Sequence, residues 1–332
     1  MRRILLVRLS SLGDVLHTFP AVTDLARAAP GAVLDWVVEE AYVPLVRMHP
    51  AVAQAIPLAL RRWRRGLLRP AVWREIAAFR HALRVARYDA VIDAQGLVKS
   101  AIVAALARGP VHGYGRAAAR EPFAARFYHH TYDLGPGLHS VARYRELAAR
   151  SLGYAPPAAI DRGIDRGIDY GIDYGIAAPA RPPFAPAGRY CVLLHSTARA
   201  AKLWPEDAWV ELGRALESRG IACVLPWGAE TERARAGRIA AGLGRALVAP
   251  RTSIGEAAGL IGHAAAVVGL DTGLMHLAVA LGTPVVAIFC GSDPARTGPL
   301  GAGPIAVRGG PGRPPSAAEV LAALDAIAPV GR

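Results

Sequence analysis

Asp14 is the first residue in the chain whose type and position could do chemistry. It follows the apolar stretch 4–9 and a turn at Gly13, and it opens a predicted helix. The apolar residues of that helix share one face; they are Val15, Phe19, Val22 and Leu25. At such a junction a carboxylate could act as a general base that removes a proton from an acceptor hydroxyl. It could equally cap the free amides of the helix and interact with the helix dipole. The local sequence leaves both roles open.

A second candidate site lies at Asp271, Thr272 and Gly273, again between a buried strand and a helix. Backbone amides at a helix N-terminus, beside a threonine hydroxyl and a glycine without a side chain, suit a pyrophosphate. Asp271 could accept hydrogen bonds from sugar hydroxyls or merely cap the helix, and His276 lies one turn further on. The sequence contains no P-loop or dinucleotide-binding glycine pattern, which argues against a kinase or a dehydrogenase.

Lys202 is one of only two lysines among 39 basic residues, and it lies in a predicted strand-to-helix loop that also contains Thr197. A flexible ammonium group there could be the counter-ion of a leaving diphosphate. Glu232 follows a later strand and could hold a ribose or sugar hydroxyl. Taken alone, Glu232 is better explained as a solvated surface residue.

The stretch 61–87 carries nine arginines and a single acid, Glu75. Part of it has the spacing of a helix with two different faces. The apolar face would carry Val72, Ile76, Phe79 and Leu83, and the basic face would carry Arg80, Arg84 and Arg87. Such a helix could lie on acidic lipid, bind phosphates, or be a solvated helix with a stripe facing the core. The last explanation accounts less well for the cluster RRWRR at its start.

The elements that must position these residues alternate between strands and helices in both halves of the chain. Buried strands are predicted over 4–9, 33–38, 90–93, 190–195, 221–226, 265–270 and 285–289. Capping boxes at Ser253 with Glu256 and at Ser316 with Glu319 predict two of the helix starts. Such alternation is typical of an α/β fold with parallel sheets, and ligands bind at the carboxyl ends of their strands. We therefore expect two doubly wound domains that face a central cleft.

The segment between the halves is rich in proline, glycine and alanine, and it includes the repeat DRGIDRGIDYGIDYGI over 161–176. We interpret it as an expanded linker. The predicted organisation is a first domain over 1–155, a linker over 156–188, a second domain over 189–315 and a C-terminal helix over 316–332.

Composition narrows the class of protein. With 53% hydrophobic and 20% charged residues among 332, the chain is not disordered overall. The three cysteines are far apart and odd in number, so we expect buried thiols in a reducing compartment rather than disulfides or a metal site. Because charged residues interrupt the apolar N-terminus, we predict no signal peptide. Because Gly282, Thr283 and Pro284 interrupt the apolar stretch 272–292, we predict no transmembrane helix there. The net charge of +13 calls for an anionic partner.

Six sequence blocks resemble the signature blocks of the lipopolysaccharide heptosyltransferases, and they follow that family's order. They are SSLGDVLH from Ser10, DWVVEE from Asp35, DAQGLVKS from Asp93, AREP from Ala119, LPWGA from Leu225 and DTGLMH from Asp271. The resemblance implies a GT-B fold of two Rossmann-like domains and an inverting transfer without a cofactor or metal. It also implies ADP-heptose as donor, Kdo-lipid A as acceptor, and work at the anionic cytoplasmic face of the inner membrane, as a cytoplasmic, peripheral protein.

The resemblance also implies roles for individual residues. Asp14 would be the catalytic base, and Lys202, with the amides of Thr272 and Gly273, would stabilise the departing ADP. The predicted donor-binding residues are Thr197, Lys202, Glu232, Thr252, Asp271, Thr272, Gly273 and His276. The predicted acceptor-binding residues are Arg61, Arg62, Arg64, Arg65, Lys99 and Arg120. Ala198 departs from the family by replacing a second threonine of the donor loop, which should weaken one donor contact.

Three alternatives differ from this reading in testable ways. A type II member of the family would use an already heptosylated acceptor, but SSLGDVLH and DAQGLVKS look more like the type I enzymes. A nucleic-acid-binding protein would explain the charge, but recognition-module signatures and interleaved aromatic residues are missing from the sequence. A two-lobed epimerase would not need the basic stretch.

Overall fold

The computed structural model describes residues 2–135, 137–155 and 171–328, and the chain forms two compact units, Met1–Tyr170 and Gly171–Arg332. Each unit contains a six-stranded sheet, and all neighbouring strands within each sheet are parallel. The predicted α/β fold with parallel sheets is confirmed in both units.

The first unit has the strand order β3-β2-β1-β4-β5-β6. Its strands are β1 (Arg3–Val7), β2 (Val33–Glu39), β3 (Val52–Leu58), β4 (Ala90–Asp93), β5 (Val111–Tyr114) and β6 (His130–Tyr132). Its α-helices are α1 (Leu12–Ala28), α2 (Val43–Val46), α3 (Leu60–Trp63), α4 (Pro70–Val85), α5 (Val98–Ala105) and α6 (Ser140–Leu152), with 3-10 turns at Glu40–Tyr42 and Pro122–Phe127. The strand order reverses direction between β1 and β4, and ligands of such sheets bind at the carboxyl ends of strands at this switch point.

The second unit has the order β12-β11-β10-β7-β8-β9, which is the same winding, with its switch point between β7 and β10. Its strands are β7 (Tyr190–Leu194), β8 (Ala222–Leu225), β9 (Ala246–Val248), β10 (Ala266–Leu270), β11 (Val285–Phe289) and β12 (Ile305–Gly309). Its α-helices are α7 (Glu206–Glu217), α8 (Glu230–Ala241), α9 (Ile254–Gly262), α10 (Gly273–Ala280), α11 (Pro294–Thr297) and α12 (Ala317–Ile327), with a 3-10 turn at Ala200–Lys202. The capping boxes predicted for α9 and α12 are both present.

The apolar runs of the sequence form the cores. The central strands β1, β7 and β10 are buried almost throughout, as expected for parallel strands covered on both faces. The three cysteines are buried free thiols, as predicted. The stretch 272–292 folds into α10 and β11, as predicted, and no helix in the described part of the chain is long and apolar enough to span a bilayer.

Two helices differ from their predicted pattern. Helix α1 is buried around most of its circumference, Leu16 and Thr18 included, because α6 packs on the side that the sequence leaves unassigned. Helix α4 ends at Val85, and Ala86 is extended, so Arg87 lies beyond the helix and cannot share a helical face with Arg80 and Arg84.

The segment over 171–188 has no helix or strand, and it packs on the second unit. Tyr174 is buried, and its hydroxyl donates to the carbonyl oxygen of Leu300 at 2.7 Å. The carbonyl oxygen of Ala180 lies so close to Gly259 that a Cβ there would stand 2.3 Å from it. The last residues of the predicted linker repeat therefore contribute to the core of this unit. The rest of that repeat, over 161–170, lies outside the described residues.

Candidate active site

Asp14 lies in the first turn of α1, after β1 and beside the carboxyl end of β4. Its Oδ2 accepts hydrogen bonds from the backbone amide and the hydroxyl of Ser11, at 3.1 and 3.2 Å. Its Oδ1 accepts a hydrogen bond from the Tyr144 hydroxyl at 3.1 Å and lies 2.6 Å from Nη2 of Arg8. The carboxylate is thus held at both oxygens, yet 25% of the side chain is exposed. It combines the capping contact with access for a substrate.

Arg8 is buried beneath this carboxylate. Its Nη1 donates to the carbonyl oxygen of Ala94 at 2.7 Å, and its guanidinium carbon lies 4.6 Å from the ring centre of Tyr144. Neither Nε nor Nη2 makes a hydrogen bond within the described residues, so the contact with Asp14 is an ion pair rather than a directed bond. Through Nη2, a buried guanidinium therefore places its positive charge directly against the carboxylate.

The charge state of Asp14 follows from these neighbours. Burial alone would raise its pKa, but the charge of Arg8, the amide of Ser11, the hydroxyl of Tyr144 and the charge of Arg120 together hold the pKa below its ordinary value. Asp14 is therefore ionised at neutral pH, which is the state required of a general base.

Lys99 and Arg120 extend the same edge of the sheet on the β4 and β5 side. Lys99 is the second residue of α5, which follows β4, and Arg120 lies in the exposed loop after β5. Arg120 is near enough to lower the pKa of Asp14, whereas Lys99 shares with Asp14 only the edge of the sheet. Gly96 has a φ of 69°, and a Cβ there would stand 2.8 Å from the Tyr114 ring, so only glycine fits this turn beside Arg120.

The arginine cluster at 61–65 lies in and after α3, which follows β3. Since β3 is two strands from β1 and neighbouring strands lie about 4.8 Å apart, the carboxyl ends of β1 and β3 are separated by about 10 Å. Arg62 forms ion pairs with Glu40 at 3.1 Å and with Glu75 at 2.8 Å. The other three arginines are exposed, and none of their side chains forms an ion pair with a described residue. The predicted set of four is therefore three unpaired charges and one that is largely neutralised.

Asp271 is the centre of the second unit's polar cluster, at the carboxyl end of β10. Its Oδ2 accepts hydrogen bonds from Nζ of Lys202 and, at 2.7 Å, from the hydroxyl of Ser292. Nε2 of His276 lies 3.9 Å from Oδ1. Burial alone would raise the pKa of Asp271, but its contacts with His276, Lys202 and Ser292 hold the pKa well below the ordinary carboxyl range. An ionised carboxylate thus positions the Lys202 ammonium group.

The N-terminus of α10 adjoins this cluster. Thr272 is the N-cap residue, its side chain makes no capping bond, and Gly273 is the first helical residue. The amides of a first helical turn lack acceptors inside the helix, and the dipole there favours an anion. Lys202 reaches the same place because Gly291 lets two loops touch; a Cβ at Gly291 would stand 2.4 Å from the carbonyl oxygen of Ala201. Together these groups form a site for a phosphate or diphosphate.

The other predicted donor residues lie at the same edge of the sheet as Asp271, but the described contacts do not join them to the Asp271 cluster. Thr197 follows β7, Glu232 is in the first turn of α8 after β8, and Thr252 precedes α9 after β9. The carboxyl ends of these parallel strands lie at the same edge of the sheet as the carboxyl end of β10. Oε2 of Glu232 accepts hydrogen bonds from the amides of Gly228 and Ala229, at 2.7 and 3.1 Å, so it caps α8 here.

Three residues of these clusters were not predicted from the sequence. Ser292 follows β11, and the rule that parallel strands end at one edge could have found it. Arg8 directly follows β1, which is a weaker signal of the same kind. Tyr144 gives no signal at all, since it is 130 residues from Asp14 and its contact depends on α6 packing on α1.

The amino-acid sequence is similar to those of known proteins over nearly the whole chain. Residues 76–318 match the sequence profile of glycosyltransferase family 9 (heptosyltransferase). Lipopolysaccharide heptosyltransferase 1 of Pseudomonas aeruginosa is 46% identical over 90% of this chain and 81% of its own. By comparison, lipopolysaccharide heptosyltransferase 2 of Escherichia coli is 27% identical over 90% of this chain and 85% of its own.

Solved structures show the same similarity. The E. coli heptosyltransferase WaaC with ADP superimposes with a TM-score of 0.87 at 41% identity, over 98% of this chain and 100% of the other. The same enzyme with ADP-2-deoxy-2-fluoro heptose gives 0.84 at 41% identity, over 98% and 99% of the two chains.

Proposed function

The chain belongs to glycosyltransferase family 9, the heptosyltransferases, and we propose that it transfers heptose from ADP-heptose to the first Kdo of Kdo-lipid A, with inversion. Enzymatic glycosyl transfer in lipopolysaccharide inner-core synthesis follows from the family and from the relatives that share more than 40% of this sequence. The specific acceptor, the site residues and the place of action in the cell are the proposal.

The observation that carries the donor assignment is the cluster of Lys202, Asp271 and Ser292 at the N-terminus of α10. It offers a cation, a hydroxyl and free helix amides to one anionic group. Solved relatives at 41% identity hold ADP and an ADP-heptose analogue, which supports ADP-heptose as the ligand here. Thr197, Glu232, Thr252, Thr272, Gly273 and His276 complete the proposed donor set.

In the proposed reaction the Kdo hydroxyl oxygen attacks the anomeric carbon of heptose while its proton passes to Asp14. The bond between that carbon and the phosphate oxygen breaks, and its electron pair leaves with ADP. Lys202 and the amides of the first turn of α10 stabilise the negative charge that develops on the diphosphate. The ionised state of Asp14 supports its role as the base.

Acceptor binding is proposed for the basic residues along the carboxyl edge of the first sheet. Arg61, Arg64 and Arg65 on one side of Asp14, and Lys99 and Arg120 on the other, have no ion-pair partner among the described residues. Kdo carries a carboxylate and lipid A carries phosphates, so these charges suit that acceptor. We propose that the protein works at the cytoplasmic face of the inner membrane, where its positive net charge favours an anionic surface.

Replacing Asp14 by asparagine tests the role of the base. The amide keeps the shape and can still accept the Tyr144 hydrogen bond, but it cannot take the acceptor proton. We expect transfer to fall by about 100- to 10,000-fold, while calorimetry shows ADP affinity within a few-fold of the wild type. A single cooperative thermal unfolding transition would show that the variant is folded. Near-normal transfer by the folded variant would leave Asp14 with only its capping role.

A further inference from the structure

Three exposed apolar side chains project from the midst of the basic stretch. Leu68 is 99% exposed, Trp73 is 58% exposed and Leu67 is 48% exposed. We call these three residues the apolar tip. A leucine that is almost completely in water makes no contribution to the core of its own chain, and apolar residues grouped on a surface usually mark a binding site.

The apolar tip is held in a defined shape. The amide of Arg69 donates to the carbonyl oxygen of Gly66 at 2.8 Å, so Leu67 and Leu68 occupy the central positions of a turn. The indole nitrogen of Trp73 donates to the carbonyl oxygen of Leu67, also at 2.8 Å, which ties the turn to the first residues of α4. The two leucines are therefore presented to solvent by hydrogen-bonded backbone.

Buried residues fix this turn to the first unit. Trp63, three residues before the turn, is buried, packs edge-on against Phe79, and donates from its indole nitrogen to Glu75 at 2.7 Å. Val72, three residues after the turn, is also buried. The tip thus stands on a rigid base that the core of the unit supports.

Positive charge surrounds the tip. Five exposed arginines, none with an ion-pair partner in the described part of the chain, flank it in sequence; they are Arg61, Arg64, Arg65, Arg69 and Arg74. Arginine side chains bind phosphate in a two-pronged fashion, and apolar and indole groups favour the boundary between headgroups and hydrocarbon. An apolar centre with a basic rim is complementary to an anionic bilayer, whereas a soluble phosphate would leave the leucines in water.

We propose that Leu67, Leu68 and Trp73 insert into the interfacial layer of an anionic membrane while the surrounding arginines bind the lipid phosphates. This inference rests on the proposed function, because a lipid-anchored acceptor gives the enzyme a membrane to bind. It goes further by assigning membrane contact to apolar side chains that the transfer reaction does not use. The position of the tip after α3 would bring the edge of the sheet that carries Asp14 towards the lipid headgroups.

Vesicle binding in the absence of acceptor tests the proposal. The full-length protein is sedimented with vesicles of phosphatidylglycerol and phosphatidylethanolamine, and the double variant Leu67→Ser with Leu68→Ser is compared with the wild type. We expect the double variant to bind at least about tenfold more weakly, since two apolar side chains lose their lipid contact. Val85→Ser is the matched control, because Val85 is 70% exposed at the other end of α4 and should leave binding unchanged.

Quenching by brominated lipids supplies a second measurement. Among the six tryptophans only Trp73 is strongly exposed, so bromine in the acyl chains should quench wild-type fluorescence and should have little effect on Trp73→Phe. Equal vesicle affinity of the double variant, or wild-type fluorescence that the brominated lipids do not quench, would overturn the proposal. Transfer to a water-soluble Kdo acceptor tests the proposed function separately from membrane binding. The double variant should transfer heptose to this acceptor as fast as the wild type. If the wild type transferred nothing, the proposed function would be refuted, whereas the proposed membrane contact would still stand.

Discussion

At the residue scale, Asp14 shows how one carboxylate can both cap a helix and be available to a substrate. Oδ2 takes the Ser11 donors, as a cap would, while Oδ1 takes the Tyr144 hydroxyl and lies against the guanidinium of Arg8. A quarter of the Asp14 side chain nevertheless remains exposed, so an acceptor hydroxyl can reach the carboxylate beside these contacts. The two roles that the sequence leaves open are therefore compatible in the structure.

Tyr144→Phe should change the pH dependence of transfer. The variant removes a hydrogen bond that stabilises the ionised form of Asp14, so the pKa of Asp14 rises towards its ordinary value. The base is then protonated at higher pH, and the acidic limb of the kcat/KM profile should move to higher pH.

A second tyrosine supplies the control for that profile. The hydroxyl of Tyr154 is buried without a hydrogen-bond partner in the described part of the chain, so Tyr154→Phe removes an equal group without affecting the Asp14 carboxylate. Its acidic limb should coincide with that of the wild type. If the limb of Tyr144→Phe also stayed in place, the ionisation of Asp14 would not control the reaction.

The sequence predicts the residues that follow strands and misses those that reach the site from elsewhere. Asp14, Lys202 and Asp271 each follow a buried strand, and the structure places each at the carboxyl edge of its sheet. The partners that set the charge state of Asp14 come from packing between distant elements, Tyr144 above all. No local pattern contains that information.

At the element scale, close backbone contact between loops sets the position of Lys202. The loop that ends at Lys202 lies directly on the loop after β11, and only the absence of a side chain at Gly291 allows this. Asp271 then binds the ammonium group, and the hydroxyl of Ser292, which follows the neighbouring strand β11, donates to the same carboxylate oxygen.

Gly291→Ala should therefore weaken donor binding. The added Cβ would force the backbone at Ala201 to move and would withdraw Lys202 from its site. We expect ADP affinity in calorimetry to fall roughly tenfold, the size of one lost hydrogen bond to a charged group. Gly255→Ala in α9 is the control, since its Cβ would meet no atom within 4 Å and ADP affinity should be retained. Undiminished ADP affinity in Gly291→Ala would mean that Lys202 does not hold the donor.

Within the arginine cluster at 61–65, substitution of an ion-paired arginine should affect acceptor binding less than substitution of an unpaired one. Arg62 is already neutralised by Glu40 and Glu75, whereas Arg64 is exposed and unpaired within the described residues. Arg64→Ala should raise the acceptor KM roughly fivefold, the effect of one basic residue near an anionic surface. Arg62→Ala should raise it less, and donor KM should be unchanged in both. An equal rise in the two variants would contradict this division.

Strands and helices could be predicted where the pattern of apolar residues in the sequence matches the residues that are buried in the structure. The continuous apolar runs predicted strands whose observed bounds agree with the predicted ones to within two residues. Helix α1 was predicted with a single apolar face, because the burial of its other faces depends on α6, which lies more than a hundred residues later. The packing of residues 171–188 was not predictable either, since that segment has no periodicity and its contacts are irregular.

At the scale of the whole molecule, the chain repeats one winding order and divides its chemistry between the two units. The first unit carries the ionised carboxylate and the unpaired arginines, and the second carries the cluster that suits a diphosphate. The net charge of +13 is concentrated partly in the stretch 61–87, where nine arginines accompany one acid. This distribution suits an enzyme whose acceptor is anionic.

The choice of acceptor tests the central claim most directly. Purified protein is incubated with ADP-heptose and, in parallel, with Kdo-lipid A or with its singly heptosylated product, and the lipids are weighed by mass spectrometry. We predict that Kdo-lipid A gains one heptose, that the heptosylated lipid gains none, and that Asp14→Asn transfers to neither. Transfer to the heptosylated lipid alone, or to neither acceptor by the folded wild type, would contradict the account.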